Sequence, residues 1–384
     1  MRPVRTVLSL AGLVVICACG STSTISNAAS VSPTAAQATS PSPPVAAGKS
    51  VLVGQSSSPA TVIVMRPDGS VIATLPGTGL ADQHAVGAYL FTDAAGTGKA
   101  SSVDAAGTVK AVAPAAATLL ASYPYSPALI VDSSTAIIGC VTGPGGCSAQ
   151  LVDLNTGAPR TLLTVPAVTG QAAMQYGASL SALEVSTDKQ TVWLREVSPD
   201  GTAWRLTIVG INLQSGAVTT RDLPSALLNE PDLAISSDGK LVAGQEDAGT
   251  NGNNLAVAHL HLVSLETNVD SDVQGTAPYV RGWPPPASPT IVFAPDSRTV
   301  AWWGGFNNAD TDSRINVAAL GASGTPLIRL DDANLASEPM KAVYWLDPST
   351  LVAQTQTGPF SIDATTGAMK PMPADLHTLV AILS

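Results

Sequence analysis

The chain has 384 residues, of which only 12% are charged, with 18 basic and 28 acidic side chains and a formal net charge of −10. Nucleic acid and anionic lipid surfaces require basic patches, so this acidic balance argues against both as direct partners. Valine, threonine, glycine and proline are abundant and long helical patterns are absent, which favours an all-β fold.

Residues 1–18 have the pattern of a signal peptide. Two arginines precede an apolar run of about twelve residues, which is too short to cross a bilayer of about 30 Å as a helix. The run ends in Ile16-Cys17-Ala18-Cys19-Gly20, which resembles the bacterial lipobox. The resemblance implies diacylglyceryl transfer to Cys19, cleavage before it, and anchoring of the mature protein in a bacterial membrane, outside the cytoplasm. A plain secretory signal that is cleaved nearby is the alternative.

Residues 19–50 are predicted to form a disordered tether behind the lipidated Cys19. The segment consists mostly of serine, threonine, alanine and proline, and it has little apolar bulk to bury. The globular domain is therefore predicted to cover residues 51–384.

Two kinds of hairpin turn recur within residues 51–384. The first places an Asp-containing turn between two apolar runs, and a glycine in such a turn accepts the positive φ that a tight hairpin requires. Its copies are Ile130–Ile138, Val185–Trp193, Leu233–Gln245, Phe293–Ala301 and Trp345–Ala353. The second ends on glycine, or once on asparagine, and its copies are Met65–Gly69, Val103–Gly107, Val152–Gly157, Ile211–Gly216, Ser264–Asn268, Ala319–Gly324 and Ser361–Gly367.

Seven copies at intervals of roughly 40 to 60 residues are typical of the blades of a β-propeller. The predicted fold is therefore an all-β propeller of seven blades, each with four antiparallel strands. A pair of β-sandwiches with ordinary hairpins is the alternative. The blades are predicted at residues 51–76, 86–113, 128–166, 179–224, 231–273, 289–331 and 341–373.

The turns Ala294-Pro295-Asp296-Ser297 and Ser236-Ser237-Asp238-Gly239 resemble the WD40-like (PD40-type) repeats of the periplasmic TolB family and related bacterial propellers. The resemblance covers roughly residues 50–384 and implies a propeller fold. Because its motif describes the fold alone, it transfers no catalytic residue.

The strand Thr378–Leu383 is surplus to the last predicted blade, whereas Val51–Gly54 lacks an apolar strand ahead of it. We expect the last strand to complete the first blade and close the ring, which removes two exposed sheet edges. The alternative is that this strand extends the seventh blade.

Cys140 and Cys147 bracket the sequence Val-Thr-Gly-Pro-Gly-Gly, which can reverse direction between two strands. In an exported protein this spacing predicts a local disulfide. A metal site would need further cysteine or histidine ligands nearby, and the sequence has none there.

The sequence predicts no catalytic residue and no cofactor. Gly-x-Ser-x-Gly, His-Glu-x-x-His and Cys-x-x-Cys motifs are absent. His259 and His261 alternate on a predicted strand, so they share a sheet face, where packing against the next blade is commoner than metal binding.

Two polar loops and one tryptophan mark the predicted binding face. Three of the polar residues alternate like the start of a calcium loop, but the glycine and closing glutamate of that motif are missing, so no metal is predicted. Trp283 precedes three prolines and is a candidate anchor for a partner or a sugar ring. The loop residues are Asp247 and Asn251 in one loop and Asn307, Asn308, Asp310 and Asp312 in the other, of which the last three are the weak metal candidates.

These observations lead to the hypothesis of a lipoprotein whose propeller is a binding or scaffolding module of the bacterial cell envelope. Its partners would be the membrane, through the lipid on Cys19, and an envelope protein or small ligand on a propeller face. The competing hypothesis is an exported hydrolase or lyase with charged side chains converging at the mouth of the central channel. A structural envelope protein without a specific ligand is the third possibility.

Overall fold

The computed structural model shows an all-β chain that contains one α-helix in its described part. The structure describes residues 50–80, 83–122, 127–141, 146–166, 179–200, 203–224, 227, 233–250, 256–273, 279–281, 291–304, 314–320, 326–334 and 340–384.

The N-terminal strands form a sheet that changes partners at its third strand. In chain order the elements are β1 (Val51–Ser57), β2 (Ala60–Met65), β3 (Val71–Gly79), β4 (Gln83–Ala85), β5 (Ala88–Asp93), β6 (Ala100–Asp104), β7 (Val109–Ala111) and the helix α1 (Pro114–Ala121). The first part of β3 pairs with β2, whereas Gly77–Gly79 pair with β5. The sequence analysis did not predict α1, which begins at a proline and buries Ala116 and Leu120.

The next strands form two sheets. They are β8 (Ala128–Asp132), β9 (Thr135–Ile138), β10 (Cys140–Val141), β11 (Cys147–Asp153), β12 (Pro159–Val165), β13 (Ser179–Val185), β14 (Thr191–Asp200), β15 (Ala203–Asn212) and β16 (Val218–Asp222). In the first sheet β8, β9, β11 and β12 are antiparallel, and β4 pairs in parallel with the edge of β8 that is not paired to β9. In the second, β13 to β16 are antiparallel, and β10 pairs with the start of β13.

Two further antiparallel sheets follow the same plan. The first contains β17 (Leu233–Ile235), β18 (Leu241–Thr250), β19 (Ala256–Ser264) and β20 (Asp270–Val273), with β21 (Tyr279–Arg281) also paired to β19. The second contains β22 (Ile291–Phe293), β23 (Thr299–Gly304), β24 (Arg314–Leu320) and β25 (Pro326–Asn334).

The last sheet is followed by a strand that pairs with the first strand of the domain. The elements are β26 (Met340–Asp347), β27 (Thr350–Thr355), β28 (Pro359–Asp363), β29 (Met369–Pro371), a 3-10 helix (Ala374–Leu376) and β30 (Thr378–Leu383). β30 runs antiparallel to β1, with Val51 opposite Leu383 and Gln55 opposite Thr378. This is the strand pairing that ring closure requires.

Both predicted families of hairpin turns are confirmed where the structure describes them; residues 321–324, in one of the second turns, lie outside the described residues. The five first turns join β8 to β9, β13 to β14, β17 to β18, β22 to β23 and β26 to β27. The seven second turns lie between β2 and β3, β6 and β7, β11 and β12, β15 and β16, β19 and β20, β24 and β25, and β28 and β29. Asn268, which takes the place of glycine in one second turn, has a φ of 58°. Its amide side chain tolerates this left-handed conformation better than most residues do.

The described strands can be divided into seven antiparallel groups, which follow the chain except that the last strand, β30, belongs to group 1 and that β3 is shared by groups 1 and 2. They are group 1 (β30, β1, β2, β3), group 2 (β3, β5, β6, β7), group 3 (β8, β9, β11, β12), group 4 (β13–β16), group 5 (β17–β20), group 6 (β22–β25) and group 7 (β26–β29).

The hydrophobic core lies between the groups. Each of seven buried clusters in the described residues joins two neighbouring groups, such as groups 3 and 4 through Leu129 and Leu194. Trp302 packs between groups and is buried among residues of groups 5 and 6. One cluster joins group 7 to group 1 through Val352 and Leu52. Burial of about 25 cal/mol per Å² of apolar surface stabilises each of these contacts.

The first strands of groups 3 to 7 contact one another in chain order, from β8 through β13, β17, β22 and β26. β26 then contacts β30, β30 contacts β4, and β4 pairs with β8. We refer to these strands together as the inner edge.

Candidate functional site

The structure confirms the predicted disulfide between Cys140 and Cys147, whose Cα atoms are 5.8 Å apart. β10, which contains Cys140, pairs with group 4, whereas β11, which begins at Cys147, belongs to group 3. The disulfide therefore joins two groups at the place where the chain passes between them.

Most residues of the predicted binding face lie outside the described residues. This holds for Asn251, Trp283, Asn307, Asn308, Asp310 and Asp312, and also for the predicted lipidation site, Cys19. Asp247 differs from the prediction, which placed it in a loop: its backbone lies within β18, opposite Ala258. The pairing of β18 with β19 includes Asp247 because backbone hydrogen bonding does not depend on side-chain polarity.

His261 contacts a carboxylate on the neighbouring strand. Its Nδ1 lies 3.0 Å from Oδ1 of Asp270, on the neighbouring strand β20. Within the described part of the chain, no three His, Cys, Asp or Glu side chains cluster closely enough to hold a metal ion. No helix in that part is long and apolar enough to cross a membrane.

The first turns of groups 4, 5 and 6 are linked through hydroxyl groups. Thr187 Oγ1 donates to Ser237 Oγ at 3.2 Å, and Ser237 Oγ lies 2.8 Å from Ser297 Oγ. Ser297 Oγ also accepts from the backbone N–H of Asp238 at 3.2 Å. These contacts place three consecutive first turns side by side. We call the surface that carries the first turns the turn face.

An open cleft of about 280 Å³ lies on the turn face between groups 3 and 4. Its apolar lining consists of Val131, Leu151 and Leu213. Its polar lining consists of Asp132, Thr135, Lys189, Gln190 and Gln214. The cleft thus combines an aliphatic floor with one carboxylate, one ammonium group and two amides.

Local hydrogen bonds hold the walls of the cleft. Asp132 Oδ1 accepts from both the backbone N–H and the hydroxyl of Ser134, each at 2.7 Å. The backbone N–H of Leu213 donates to Gln190 O at 2.7 Å, and Arg160 Nη2 donates to Leu213 O at 2.9 Å. Because both walls are fixed by short bonds, the cleft is formed before any ligand arrives.

Gly87 lies beside the ammonium group of Lys189 and the backbone of Asp132. A Cβ atom at this position would lie 2.6 Å from Lys189 Nζ and 3.4 Å from Asp132 Cα. Lys189 Nζ also donates weakly to the backbone oxygen of Ser384, at 3.4 Å. Glycine at residue 87 therefore leaves the room that the ammonium group occupies.

A second pair of titratable side chains lies on the inner edge. Nε2 of His84, on β4, is 3.9 Å from Oε2 of Glu184, on β13. The side chain of His84 is 38% exposed and that of Glu184 is 25% exposed. The other oxygen of Glu184, Oε1, accepts from the backbone N–H of Val185 at 2.9 Å. The separation exceeds hydrogen-bond distance, so the pair interacts through charge alone.

Burial raises the pKa of the Glu184 carboxyl above its ordinary value. The nearby His84 and the hydrogen bond from Val185 act in the opposite direction, but desolvation has the larger effect. A carboxyl group with a raised pKa beside an imidazole is a combination that general acid–base catalysis uses.

The sequence analysis missed the His84–Glu184 pair because the position of His84 depends on a change in strand pairing: β3 pairs with β5, whereas β4 pairs with β8. Gln83 bridges that change with its side chain: Nε2 donates to the backbone oxygens of Leu80 and Leu90, each at 2.8 Å, and Oε1 accepts from the N–H of Leu90 at 2.8 Å. An amide side chain here replaces a backbone partner. A lone glutamine in a short polar segment carries no pattern from which this role could be predicted.

No protein-family model matches the chain, and no curated protein matches it. Solved structures do show similar folds. Puromycin hydrolase has a TM-score of 0.50 and 12% identity, over 85% of this chain and 52% of its own, so the chain spans about half of that enzyme. A putative 6-phosphogluconolactonase from Bacteroides uniformis has a TM-score of 0.48 and 11% identity, over 84% of this chain and 94% of its own.

The β-propeller domain of the Trilobed protease from Pyrococcus furiosus is also similar, with a TM-score of 0.41 and 7% identity over 84% of this chain and 82% of its own. At these identities the likeness concerns the fold alone. The chain is an all-β protein, and its repeated antiparallel groups support a propeller fold.

Proposed function

We propose that the chain is a lipid-anchored propeller of seven blades that serves as a binding module of the bacterial cell envelope. The observation that carries the binding role is the preformed cleft on the turn face, which opens to solvent between groups 3 and 4. Rigid sheets that present turns and loops on one surface are well suited to hold a protein or ligand.

The division into seven groups supports the blade number. Ring closure is supported by the pairing of β30 with β1, by the cluster that joins groups 7 and 1, and by the contacts along the inner edge. Gln354 adds a polar contact across the same junction, because its Oε1 accepts from the backbone N–H of Leu379 at 2.7 Å. Since Gln354 is only 4% exposed, this bond is shielded from water.

The membrane location rests on residues 1–50. The lipobox-like sequence before Cys19 supports lipidation, and the polar segment behind it supports a flexible tether about 30 residues long. A tethered module would reach partners near the membrane surface while remaining attached.

The test is affinity capture from detergent-solubilised envelope of the native host, with the full chain as bait and a Cys19→Ala variant as control. We expect a reproducible, stoichiometric protein partner that is absent from mock beads, and recovery of the bait in the membrane fraction only when Cys19 is present. A clean eluate would contradict a stable protein partner. Recovery of the Cys19→Ala variant in the membrane at the parental level would contradict lipid anchoring.

The second candidate function is an exported hydrolase or lyase, and the His84–Glu184 pair favours it. Both residues lie on the inner edge, where the sequence analysis expected charged groups of an enzyme to converge. The test is a screen of ester, lactone and glycoside substrates with the parent and with Glu184→Gln. Turnover by the parent that falls at least about 100-fold in the variant would establish the enzyme. Equal rates would exclude a catalytic role for this pair.

A further inference from the structure

We infer that the cleft between groups 3 and 4 binds an extended peptide segment in which a basic and an acidic side chain lie two residues apart. This inference rests on the binding function proposed above, and it names the site and the chemistry of the partner.

The two charges of the cleft carry the inference. Asp132 and Lys189 both line the cleft, so one anionic and one cationic side chain are available to the same ligand. They are not paired with each other in the structure. A ligand with a single sign of charge would be attracted by one of them and repelled by the other, whereas a ligand with both signs satisfies both.

The half-buried carboxylate of Asp132 has capacity for a further partner. Its Oδ1 is used by Ser134, while its Oδ2 accepts no hydrogen bond from the described residues. A carboxylate oxygen accepts an ammonium or guanidinium group well, so Asp132 would bind the basic side chain of the ligand. Lys189, whose one hydrogen bond to Ser384 is long, would bind the acidic side chain.

The uncharged lining matches a peptide backbone with small side chains. The amides of Gln190 and Gln214 each offer both donors and an acceptor, as peptide groups do, and no hydrogen bond of either side-chain amide is found in the described part of the chain. Val131, Leu151 and Leu213 provide an aliphatic floor. Among the described residues that line the cleft none is aromatic, which disfavours sugar rings, because sugars stack on aromatic faces.

The openness of the cleft favours a peptide over a free amino acid. A small ligand is held tightly when a pocket encloses most of its surface, and this cleft covers one side only. A peptide extends beyond the cleft and gains contacts along the turn face. In an extended peptide, side chains two residues apart point to the same side, about 7 Å from each other, so a peptide can present both charges to one cleft.

The test uses the full-length chain in detergent and the fluorescein-labelled peptide acetyl-Gly-Lys-Ala-Asp-Gly as the probe, followed by fluorescence polarisation. We expect saturable binding that is weakened about fivefold or more when Lys or Asp of the peptide is replaced by Ala. Asp132→Asn keeps the acceptor that Ser134 uses, so it removes the charge and leaves the turn intact. We expect Asp132→Asn and Lys189→Gln each to weaken binding about fivefold, and added salt to weaken it further.

Asp104→Asn and Lys110→Gln are the matched controls, because they change the same charges on group 2, and we expect them to leave affinity unchanged. Equal affinity for the charged peptide and its all-alanine analogue would overturn the inference. Displacement of the peptide by free alanine at equal concentration would also overturn it, in favour of an amino acid ligand. A partner captured from the envelope whose binding survives both cleft variants would leave the proposed function standing and this site refuted.

Discussion

At the scale of single residues, the first turns show how one backbone conformation serves different purposes. Lys189, Gly239 and Ser297 occupy the same position after the turn aspartate, with φ of 58°, 70° and 57°. Lys189 lines the cleft. The left-handed conformation of Ser297 costs about 1 to 2 kcal/mol, and its hydroxyl forms hydrogen bonds to the neighbouring turn. Gly239 faces Trp193 of the preceding group.

Gly239 and Gly216 provide a direct comparison of conformational and steric cost. Both have a positive φ, of 70° and 73°, but a Cβ at Gly239 would lie 1.9 Å from Cζ2 of Trp193, whereas one at Gly216 would meet nothing within 4 Å. We expect Gly216→Ala to lower the free energy of unfolding by about 1 kcal/mol, and Gly239→Ala by about 2 kcal/mol more than that. Chemical denaturation measures both, and equal losses would show that Trp193 does not constrain residue 239.

Glu184 predicts a characteristic dependence of stability on pH. Its raised folded pKa means that the folded state holds the proton more tightly than the unfolded state, whose value is close to 4.5. The stabilisation that results is present at low pH and is lost as the pH rises through the folded pKa. We therefore expect Glu184→Gln to be more stable than the parent at pH 8, with the difference shrinking towards pH 4.5.

Asp188→Asn is the control of opposite sign. Hydrogen bonds from the Ser186 hydroxyl and from the backbone N–H of Gln190 lower the pKa of Asp188, so its contribution is present at neutral pH and is lost as the pH falls through the folded pKa. This variant should be less stable than the parent at pH 8 and converge with it in acid. Thermal unfolding at several pH values measures both trends, and a pH-independent gain in Glu184→Gln would refute the account of that carboxyl.

At the scale of elements, local chemistry explains what the sequence could predict. The hairpins were predictable because Asp-containing turns and positive-φ glycines act within a few residues, as at Gly69 and Gly157. The parallel pairing of β4 with β8 was not predictable, because it depends on Gln83 replacing a backbone partner. Asp247 was placed in a loop, whereas its backbone lies within β18, because polarity is a weak guide to where a paired strand ends.

The disulfide is the covalent link between two elements of different groups. It closes a short loop, for which loss of unfolded-state entropy predicts a stabilisation of about 2 kcal/mol. We expect Cys140→Ser/Cys147→Ser, and equally the parent under reducing conditions, to unfold at a lower denaturant concentration by that amount. Unchanged stability after reduction, with free thiols verified by alkylation, would contradict a stabilising role.

At the scale of the whole molecule, the all-β class and the repetition of antiparallel hairpins could be predicted, and the sites could not. Each of the seven second turns in the sequence lies between two strands that pair with each other. The cleft is lined by residues as distant in the sequence as Val131 and Gln214, and His84 and Glu184 are likewise far apart in the sequence. Contacts across such separations depend on how groups stack, which hydrophobic pattern and turn chemistry do not specify.

The central proposal of the account is that β30 completes group 1 and closes the ring, because the inner edge is continuous only through the contacts of β30 with β26 and β4. Hydrogen exchange of the full chain, followed by mass spectrometry, tests this directly. In a closed ring the amides of β30 should be protected to within about tenfold of those of β26 and β27, since all would exchange through the same global opening. Exchange of β30 within seconds, while β26 and β27 remain protected, would show that the strand is only loosely attached and that the ring is open.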